Sequence, residues 1–335
     1  MNVGSRIPRS YRIVYRDESR AGGRLVLTTE IVSVRRPFDA RVETRTGPPP
    51  GRKVLDVTVN GFGRIRTARA LLSVPPGAAP PDRRPDALLA DARKDGYALE
   101  RERRRIDGRI CRVYRFAGDA TATLARVSHA EKDYADLCID NAGLVLEEVT
   151  FSDGKILLRR LAVEVDENPA LADSLFDVKG TPLDVRAGGG TIRALVPGSR
   201  TPGSFWELPS PPAGFVHMGR YAVVPPQAAL GNPQQRSEII ATVDDIWVDG
   251  ADVLIVEQGG TLGGGEPFSA DRDARDVHVA PLGDGELAYA LRSSEVRVKT
   301  GPGHFVVVEG TLAPSRLLAI ARSLVKVSGG ALTFR

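Results

Sequence analysis

The run 111–149 constrains the fold of this chain most, because it holds both cysteines of the sequence inside strand-like segments. Cys111 and Cys138 each stand at the centre of an apolar segment, ICRV and LCID. The run 134–151 reads as a strand, a turn at 140–143 and a second strand, since Asn and Gly favour tight turns. The stretch therefore predicts antiparallel hairpins in which both sulfur atoms are buried.

Alternating or β-branched segments of this kind recur along the whole chain and predict further strands. The predicted strands are 11–16, 23–36, 39–46, 53–61, 98–106, 109–117, 122–128, 134–140, 144–151, 155–165, 215–224, 236–247, 252–258, 277–281, 286–290, 294–299 and 304–310. Asp86 is placed to cap a short helix that ends at Gly96. Pro314-Ser315 begins a second helix, whose apolar residues recur at helical spacing. The segment 167–178 predicts a helical turn, and 62–74 fits either a strand or a helix.

The length of 335 residues suggests two domains. We expect the first over 1–180, a Gly-rich linker over 181–190 and a second domain over 191–335. The net charge is only +4, with acidic and basic residues interleaved. A nucleic-acid-binding protein needs a continuous basic surface, so we do not expect that function.

Motifs that carry catalysis are not found. The four histidines have no second ligand at metal-binding spacing. The Gly-rich stretch 259–265 lacks the Lys and the following helix of a phosphate-binding loop. Neighbouring carboxylates such as 244–245 and 147–148 point to opposite faces of a strand. The sequence therefore predicts no enzyme, no metal and no cofactor.

Two further features leave alternatives open. The arginines at 101 and 103–105 form either a solvated strand face or an anion site, with Arg104 pointing away from its two neighbours. The two cysteines are either free thiols or a disulfide. A bridge between Cys111 and Cys138 would stabilise the fold by roughly 3 kcal/mol and would indicate an oxidising, extracytoplasmic compartment, which is the alternative that we favour.

The opening residues 1–17 lack the apolar core of a signal peptide. The predicted compartment nevertheless requires export. We therefore expect that an export signal or membrane anchor was removed from the N-terminus, and that the protein is peripheral to the membrane or anchored through that segment.

A family resemblance rests on the opening strands YRIVYRDE and GRLVLTTEIVSVRRPFDARVET, on DGRICRVYRF and on the stretch from LCIDNAGLVLEEVTF to DSLFDV. In this order they resemble the lipoprotein-carrier fold of the LolA and LolB proteins. In the second region, WELP at 206–209, PAGF at 212–215 and the closing VEGTLAPSRLLAIARSL are similar to the C-terminal domain of the RseB/MucB proteins. The stretch from the tryptophan to Gly-Phe is longer here than that family leads us to expect.

The resemblance implies an α+β fold. Its first domain would be a curved antiparallel half-barrel covered by helices, and its second a smaller antiparallel sheet domain with a terminal helix. An apolar cavity would hold lipid or lipoprotein acyl chains, as an alternative to an ordinary filled core. The candidate wall residues are Ile13, Leu27, Ile31, Val42, Leu55 and Val57. The expected function is that of an RseB-type regulator that senses such a ligand and binds a membrane partner such as an anti-sigma factor ectodomain. The alternative is a lipid or lipoprotein carrier of the cell envelope without a regulatory role.

Overall fold

A computed structural model describes most of the chain. The described residues are 8–21, 24–37, 39–47, 51–60, 64–66, 71–73, 86–118, 124–125, 132–177, 183–184, 191–195, 205–224, 239–249, 252–261, 274–289 and 293–327. Outside these residues lie the Pro-rich stretch 75–85, most of the predicted strand 122–128, most of the predicted linker 181–190 and the glycines 263–265.

The described elements are mainly strands. In the first half they are β1 Ser10–Ala21, β2 Arg24–Arg35, β3 Asp39–Thr46, β4 Arg52–Asn60, β5 Arg64–Arg66, β6 Leu71–Ser73, β7 Ala98–Ile106, β8 Arg109–Gly118, β9 Leu124–Ala125, β10 Tyr134–Asp140, β11 Val145–Ser152, β12 Lys155–Glu167 and β13 Leu183–Asp184. In the second half they are β14 Thr191–Leu195, β15 Phe205–Glu207, β16 Val216–Val224, β17 Ile239–Asp249, β18 Asp252–Thr261, β19 Arg275–Val279, β20 Gly283–Tyr289, β21 Ser294–Gly301, β22 His304–Gly310 and β23 Val325–Val327. The helices are α1 Asp86–Lys94 and α2 Pro314–Ser323, and a 3-10 turn spans Asp173–Leu175.

The first thirteen strands form one sheet within the described part of the chain. Its order is β13-β6-β5-β4-β3-β2-β1-β12-β11-β10-β8-β7, with β9 beside β8. Neighbours pair antiparallel except β13 and β6, which run parallel. The segment predicted as a linker therefore contributes a short strand, β13, to the first sheet.

The first sheet is strongly curved. The backbone amide of Val165 on β12 donates a hydrogen bond to Asp107, in the turn after β7, at 3.2 Å. Strands are spaced about 4.8 Å apart, so β7 would lie roughly 19 Å from β12 in a flat sheet. Register shifts in β1–β12 and in β10–β11 supply the local bends that this curvature needs. The first domain is thus the half-barrel that the sequence predicts.

The second sheet has eight strands among the described residues, in the order β14-β16-β17-β18-β22-β21-β20-β19. Helix α2 packs on β21 and β22 through its apolar stripe, with Leu317 and Ala321 fully buried. Pro314 stands in the first turn of this helix, where its missing amide hydrogen leaves no backbone partner unsatisfied. The α+β fold with a second, smaller sheet and a terminal helix is confirmed.

The disulfide is also confirmed, because Cys111 on β8 is bonded to Cys138 on β10. These strands are direct neighbours, with Cys111 opposite Asp140 in the register. The bridge is 1% exposed at each cysteine and belongs to the core of the first sheet. It therefore acts as a structural crosslink with no access for reactive partners.

Candidate functional site

The structure divides five of the six candidate cavity residues between the two faces of the first sheet, and the Leu55 side chain lies outside the described part. Ile13 pairs with Val32, and Val32 pairs with Val42, so these three side chains share one face. Leu27 and Ile31 lie at odd spacing from Val32 on β2 and point to the opposite face. The candidates therefore do not line a single wall.

The face that carries Ile13 is a filled core in this region. Ile13 is 0% and Val42 6% exposed, and both belong to the cluster that contains the two cysteines. Val57 lies opposite Val42, and Leu55 lies opposite Thr44, in the register of β4 with β3. Ile13 and Val42 therefore match the alternative of an ordinary core.

Of the six candidates, Ile31 lines a cavity, and this cavity lies on the other face of the sheet. Its volume is about 470 Å³, within the range of small-molecule pockets. The lining residues are Arg12, Ile31, Ser33, Arg41, Glu43, Ala170, Leu171, Ala172, Ser174 and Leu175. We call it the 170–175 cleft, because residues 170–175 form its roof and strands β1 to β3 form its floor.

The two sides of the 170–175 cleft differ in polarity. The roof is mostly apolar, with Leu171, Leu175 and two alanines, whereas the floor carries charged groups. Arg41 donates to Asp56 at 2.9 Å and to Glu43 at 3.1 Å. Burial alone would raise the pKa of Glu43, but hydrogen bonds from Lys53 and Arg45 outweigh it and lower that pKa. The floor thus keeps its charges at neutral pH.

The roof is held against the sheet at both ends. The Ser10 hydroxyl donates to the carbonyl of Pro169 at 3.0 Å. At the other end, Arg35 forms an ion pair with Asp173, and its guanidinium lies 4.9 Å from the centre of the Phe176 ring. Hydrogen bonds to Asp39 and then to Asp173 raise the pKa of Arg35. Arg35 therefore links the end of β2 to the roof.

The next residue along the chain binds the second sheet. Arg36 donates to Asp249 and to Asp252 at 2.7 Å each, at the ends of β17 and β18. The three side chains are only 11–20% exposed, so the pairs are largely shielded from water. Arg35 and Arg36 together connect the roof of the 170–175 cleft to the second sheet.

A second cavity of about 510 Å³ lies between the β7–β8 hairpin and β12. Its buried carboxylate, Glu147, is satisfied within the chain, since it accepts from Arg104 at 2.6 Å and from Arg159 at 3.0 Å. This cavity has a mainly charged wall and lacks the apolar roof of the 170–175 cleft.

Arg160 on β12 is a buried charged group, and it lies on the face of the sheet opposite to that of Glu147. Arg160 pairs with Glu30, approaches Asp17 and Glu148 at 4.0 Å, and stacks on the Tyr15 ring at 3.8 Å. The pKa of Asp17 is raised to about 7, mainly by burial and then by the charge of Glu30, against the charge of Arg160. Glu147 and Glu148 thus have separate partners on opposite faces, as the sequence predicts.

The second sheet holds a chain of polar contacts around Asp245. This carboxylate contacts His217 at 2.6 Å and accepts from Arg220 at 2.6 Å, while Arg220 also donates to Glu207 at 3.0 Å. The amide of Gln258 fixes both backbone groups of Trp206 at 2.8 Å. These contacts hold β15 over the sheet, which is a structural role.

Within the described ranges, no helix is long and apolar enough to cross a bilayer. The same part of the chain contains no group of three or more His, Cys, Asp or Glu residues arranged to bind a metal.

Sequence reasoning missed the residues that build the 170–175 cleft. Arg12 and Arg41 look like the polar side of ordinary strands, and the roof looks like a helical turn that closes a domain. One signal was present, since Arg35 and Arg36 precede a proline at a strand end. Their partners Asp173 and Asp249 are 138 and 213 residues away, beyond any local pattern.

No protein-family model matches the sequence, and a search of the curated proteins finds no match either. The fold is similar to a crystal structure of MucB, at 14% identity over 95% of this chain and 93% of that chain, with a TM-score of 0.33. It is also similar to the MucA/MucB complex of Pseudomonas aeruginosa, at 15% identity over 94% and 93%, with a TM-score of 0.31.

A domain of an outer membrane lipoprotein-sorting protein from Vibrio parahaemolyticus is similar as well. It matches at 7% identity over 50% of this chain and 89% of that chain, with a TM-score of 0.22. At these identities and TM-scores the likeness assigns no ligand and no activity.

Proposed function

We propose that this chain is an extracytoplasmic regulatory protein of the RseB type. It binds a lipid or a lipoprotein acyl chain without catalysis and signals to a membrane partner such as an anti-sigma factor. The observation that carries the proposal is the pair Arg35 and Arg36, which ties the roof of a ligand-sized cleft to the second sheet.

The 170–175 cleft suits an amphiphilic ligand. An acyl chain placed under Leu171 and Leu175 gains about 0.8 kcal/mol for each buried methylene group. The floor carries Arg12 and Arg41, which pair with carboxylates of neighbouring strands, so the polar end of the ligand would lie against this ion-paired surface. This arrangement supports lipid binding on the face opposite to the filled core.

The compartment is supported by the disulfide. Disulfides persist in oxidising compartments and are rare in the cytosol. The chain contains two cysteines, both in the bridge, so the described fold has no free thiol. This favours the periplasm or the outer face of the cell membrane.

Regulation needs a route from the ligand to a second surface. A ligand that lifts or presses the roof changes the contacts of Arg35 with Asp173 and Phe176. Arg35 and Arg36 share one peptide unit, so a shift of the first moves the second against Asp249 and Asp252. The contacts of the second sheet thereby depend on whether the 170–175 cleft is occupied. A simple carrier would not need this dependence.

Lipid binding is tested by native mass spectrometry of the exported protein and by fluorescence titration with a labelled fatty acid. Ile31→Trp fills the cleft, and we expect it to weaken binding at least about tenfold. Ile156→Trp is the matched control, because Ile156 is 46% exposed on β12 outside the cleft. Equal affinity of the two variants would rule out this site.

The regulatory role is tested separately, by titrating the protein with the purified ectodomain of an anti-sigma factor from the same genome, with and without fatty acid. We expect binding whose affinity changes when the cleft is occupied. A protein that binds fatty acid and leaves the ectodomain unbound would be a carrier, which is the alternative function.

A further inference from the structure

Strand β7 forms one edge of the first sheet, with β8 as its partner strand in the described part of the chain. Every residue from Arg101 to Arg105 on this strand is exposed. Among the described residues no other strand pairs with the outer side of this stretch, which leaves its outer backbone groups available to an added strand. An exposed edge of this length is a place where a second chain can add by backbone hydrogen bonding.

The side chains of this edge carry uncompensated positive charge. Arg104 forms ion pairs with Glu102 and Glu147. By contrast, the guanidinium groups of Arg101, Arg103 and Arg105 have no hydrogen bond and no ion pair with any described residue. Many other arginines of the chain are bound to carboxylates. Those with such partners include Arg12, Arg35, Arg36, Arg41, Arg109, Arg115, Arg160, Arg220 and Arg275.

The register places these charges where an added strand would meet them. Arg103 lies opposite Arg112 and Arg105 opposite Ile110, so both point to one face of the sheet. Ile110 is 52% exposed on that face and offers an apolar contact beside Arg105. Residues two apart on an added strand would face Arg103 and Arg105 in turn.

The positive charge of the β7 edge distinguishes between possible binding partners. A second copy that pairs edge to edge would set arginine against arginine, which is unfavourable. An anionic bilayer matches the charge but offers no partners for the backbone amide and carbonyl groups of a strand. An extended segment rich in Asp and Glu satisfies both requirements.

We propose that the β7 edge, residues 101–105, binds an acidic extended segment of a partner protein by strand addition. The arginines select the segment, and the backbone of β7 holds it. This surface is separate from the 170–175 cleft and does not depend on lipid binding. Charged edges also prevent aggregation, and the experiment below distinguishes this purely protective role from docking.

The probe is a fluorescent ten-residue peptide of alternating Glu and Thr, blocked at both ends and titrated with the full chain by fluorescence anisotropy. We expect saturable binding that weakens with salt. The triple variant Arg101→Glu, Arg103→Glu and Arg105→Glu should lose at least about tenfold in affinity. The same variant should gain affinity for the corresponding Lys-Thr peptide.

Two controls separate strand addition from general charge attraction. The triple variant Arg9→Glu, Arg52→Glu and Arg316→Glu changes the net charge equally at exposed positions away from β7. It should retain most of the affinity of the unmodified chain. A Glu-Thr peptide that is N-methylated at every second residue keeps its charge but loses amide donors, and it should bind at least about tenfold more weakly.

Several outcomes would overturn the proposal. Equal loss in both triple variants would show that only net charge matters, and undiminished binding of the N-methylated peptide would exclude strand addition. If the folded chain bound no peptide, the charged β7 edge would serve only to prevent aggregation. Binding of anionic phosphatidylglycerol vesicles without binding of the peptide would identify a membrane surface.

Discussion

Two half-buried carboxylates set the pH response of the second sheet. Asp244 on β17 lies opposite Glu257 on β18. Burial raises the pKa of Asp244 to about 6. The pKa of Glu257 is raised to about 8, mainly by burial and then by the charge of Asp244, with further contributions from Glu309 and Glu295. At neutral pH the folded chain therefore keeps a proton on Glu257 that the unfolded chain releases.

Glu257→Gln should stabilise the protein in alkaline solution. Between about pH 4.5 and pH 8 the folded state binds more protons than the unfolded state, so the free energy of unfolding of the unmodified chain falls as the pH rises. The variant lacks this titration. Its melting temperature should exceed that of the unmodified chain by a few degrees at pH 8.5. At pH 4 the difference should shrink, and equal differences at both pH values would contradict the shifted pKa.

The disulfide should contribute strongly to stability. It closes a loop with a sequence separation of 27 residues. Cys111→Ser with Cys138→Ser should lower the free energy of unfolding by about 3 kcal/mol in denaturant titrations, because the unfolded chain regains the entropy of that loop. A reducing agent should destabilise the unmodified chain to a similar extent and leave the double variant unaffected. A reductant effect on the double variant would point to another cause.

At the scale of elements, the close contact between β18 and β22 requires a glycine at position 310. Gly310 ends β22 with a φ of +156°, and a Cβ atom there would lie 2.1 Å from the carbonyl oxygen of Val253 on β18. Gly310→Ala should therefore separate the two strands and cost about 2–4 kcal/mol in unfolding free energy. Gly301→Ala is the matched control, since its nearest side-chain atom, on His304, would be 3.9 Å away. Equal stability of both variants would contradict this packing.

The sequence predicts elements well because their signals are local. Alternation of side chains gives strands such as β3 and β7 at their observed bounds, and Asp86 with Gly96 predicts the observed α1. Which residues of β2 share a face with which residues of β1 depends on the register between the two strands. A shift of one residue moves every side chain of a strand to the other face. Ile13 and Ile31 therefore looked equivalent in sequence although they lie on opposite faces.

The candidate site was less predictable than the fold. The 170–175 cleft combines a strand floor over residues 12–43 with a roof over residues 170–175, far apart in the chain. The polar residues of its floor alternate along the strands like those of an ordinary solvent-exposed face, so the sequence pattern does not identify the cleft. The disulfide could be foreseen, because both cysteines lie in apolar strand centres that a meander brings together.

At the scale of the molecule, the two sheets share one core. The largest cluster of buried residues runs from Leu89 on α1 to Leu317 on α2. Tyr97 stacks on Tyr289 with ring centres 4.3 Å apart, and Asp95 pairs with Arg275 at 2.9 Å. Part of the hydrophobic core therefore lies between the two sheets, in addition to the first sheet's own cluster around the disulfide. A shared core favours unfolding in a single cooperative transition.

The Arg36 pairs should fix how the two sheets are oriented. Both native cysteines are in the disulfide, so Asp153→Cys in the turn after β11 and Asp284→Cys near the start of β20, both at exposed positions, can carry spin labels selectively. Arg36→Met leaves Asp249 and Asp252 without their shared partner. We expect it to broaden the distance distribution between the labels in pulsed electron paramagnetic resonance.

Arg36→Met should also uncouple the cleft from the second sheet. In the unmodified chain, fatty acid should shift the distance between the labels, because the roof acts on Arg36 through Arg35. In the variant the fatty acid should still bind, since Arg36 does not line the cleft, but the shift should vanish. Arg322→Met is the matched control, because this exposed arginine donates to the carbonyl of His278 within the second sheet. A ligand-dependent shift that persists in Arg36→Met would show that the coupling passes through the shared core and not through the paired arginines.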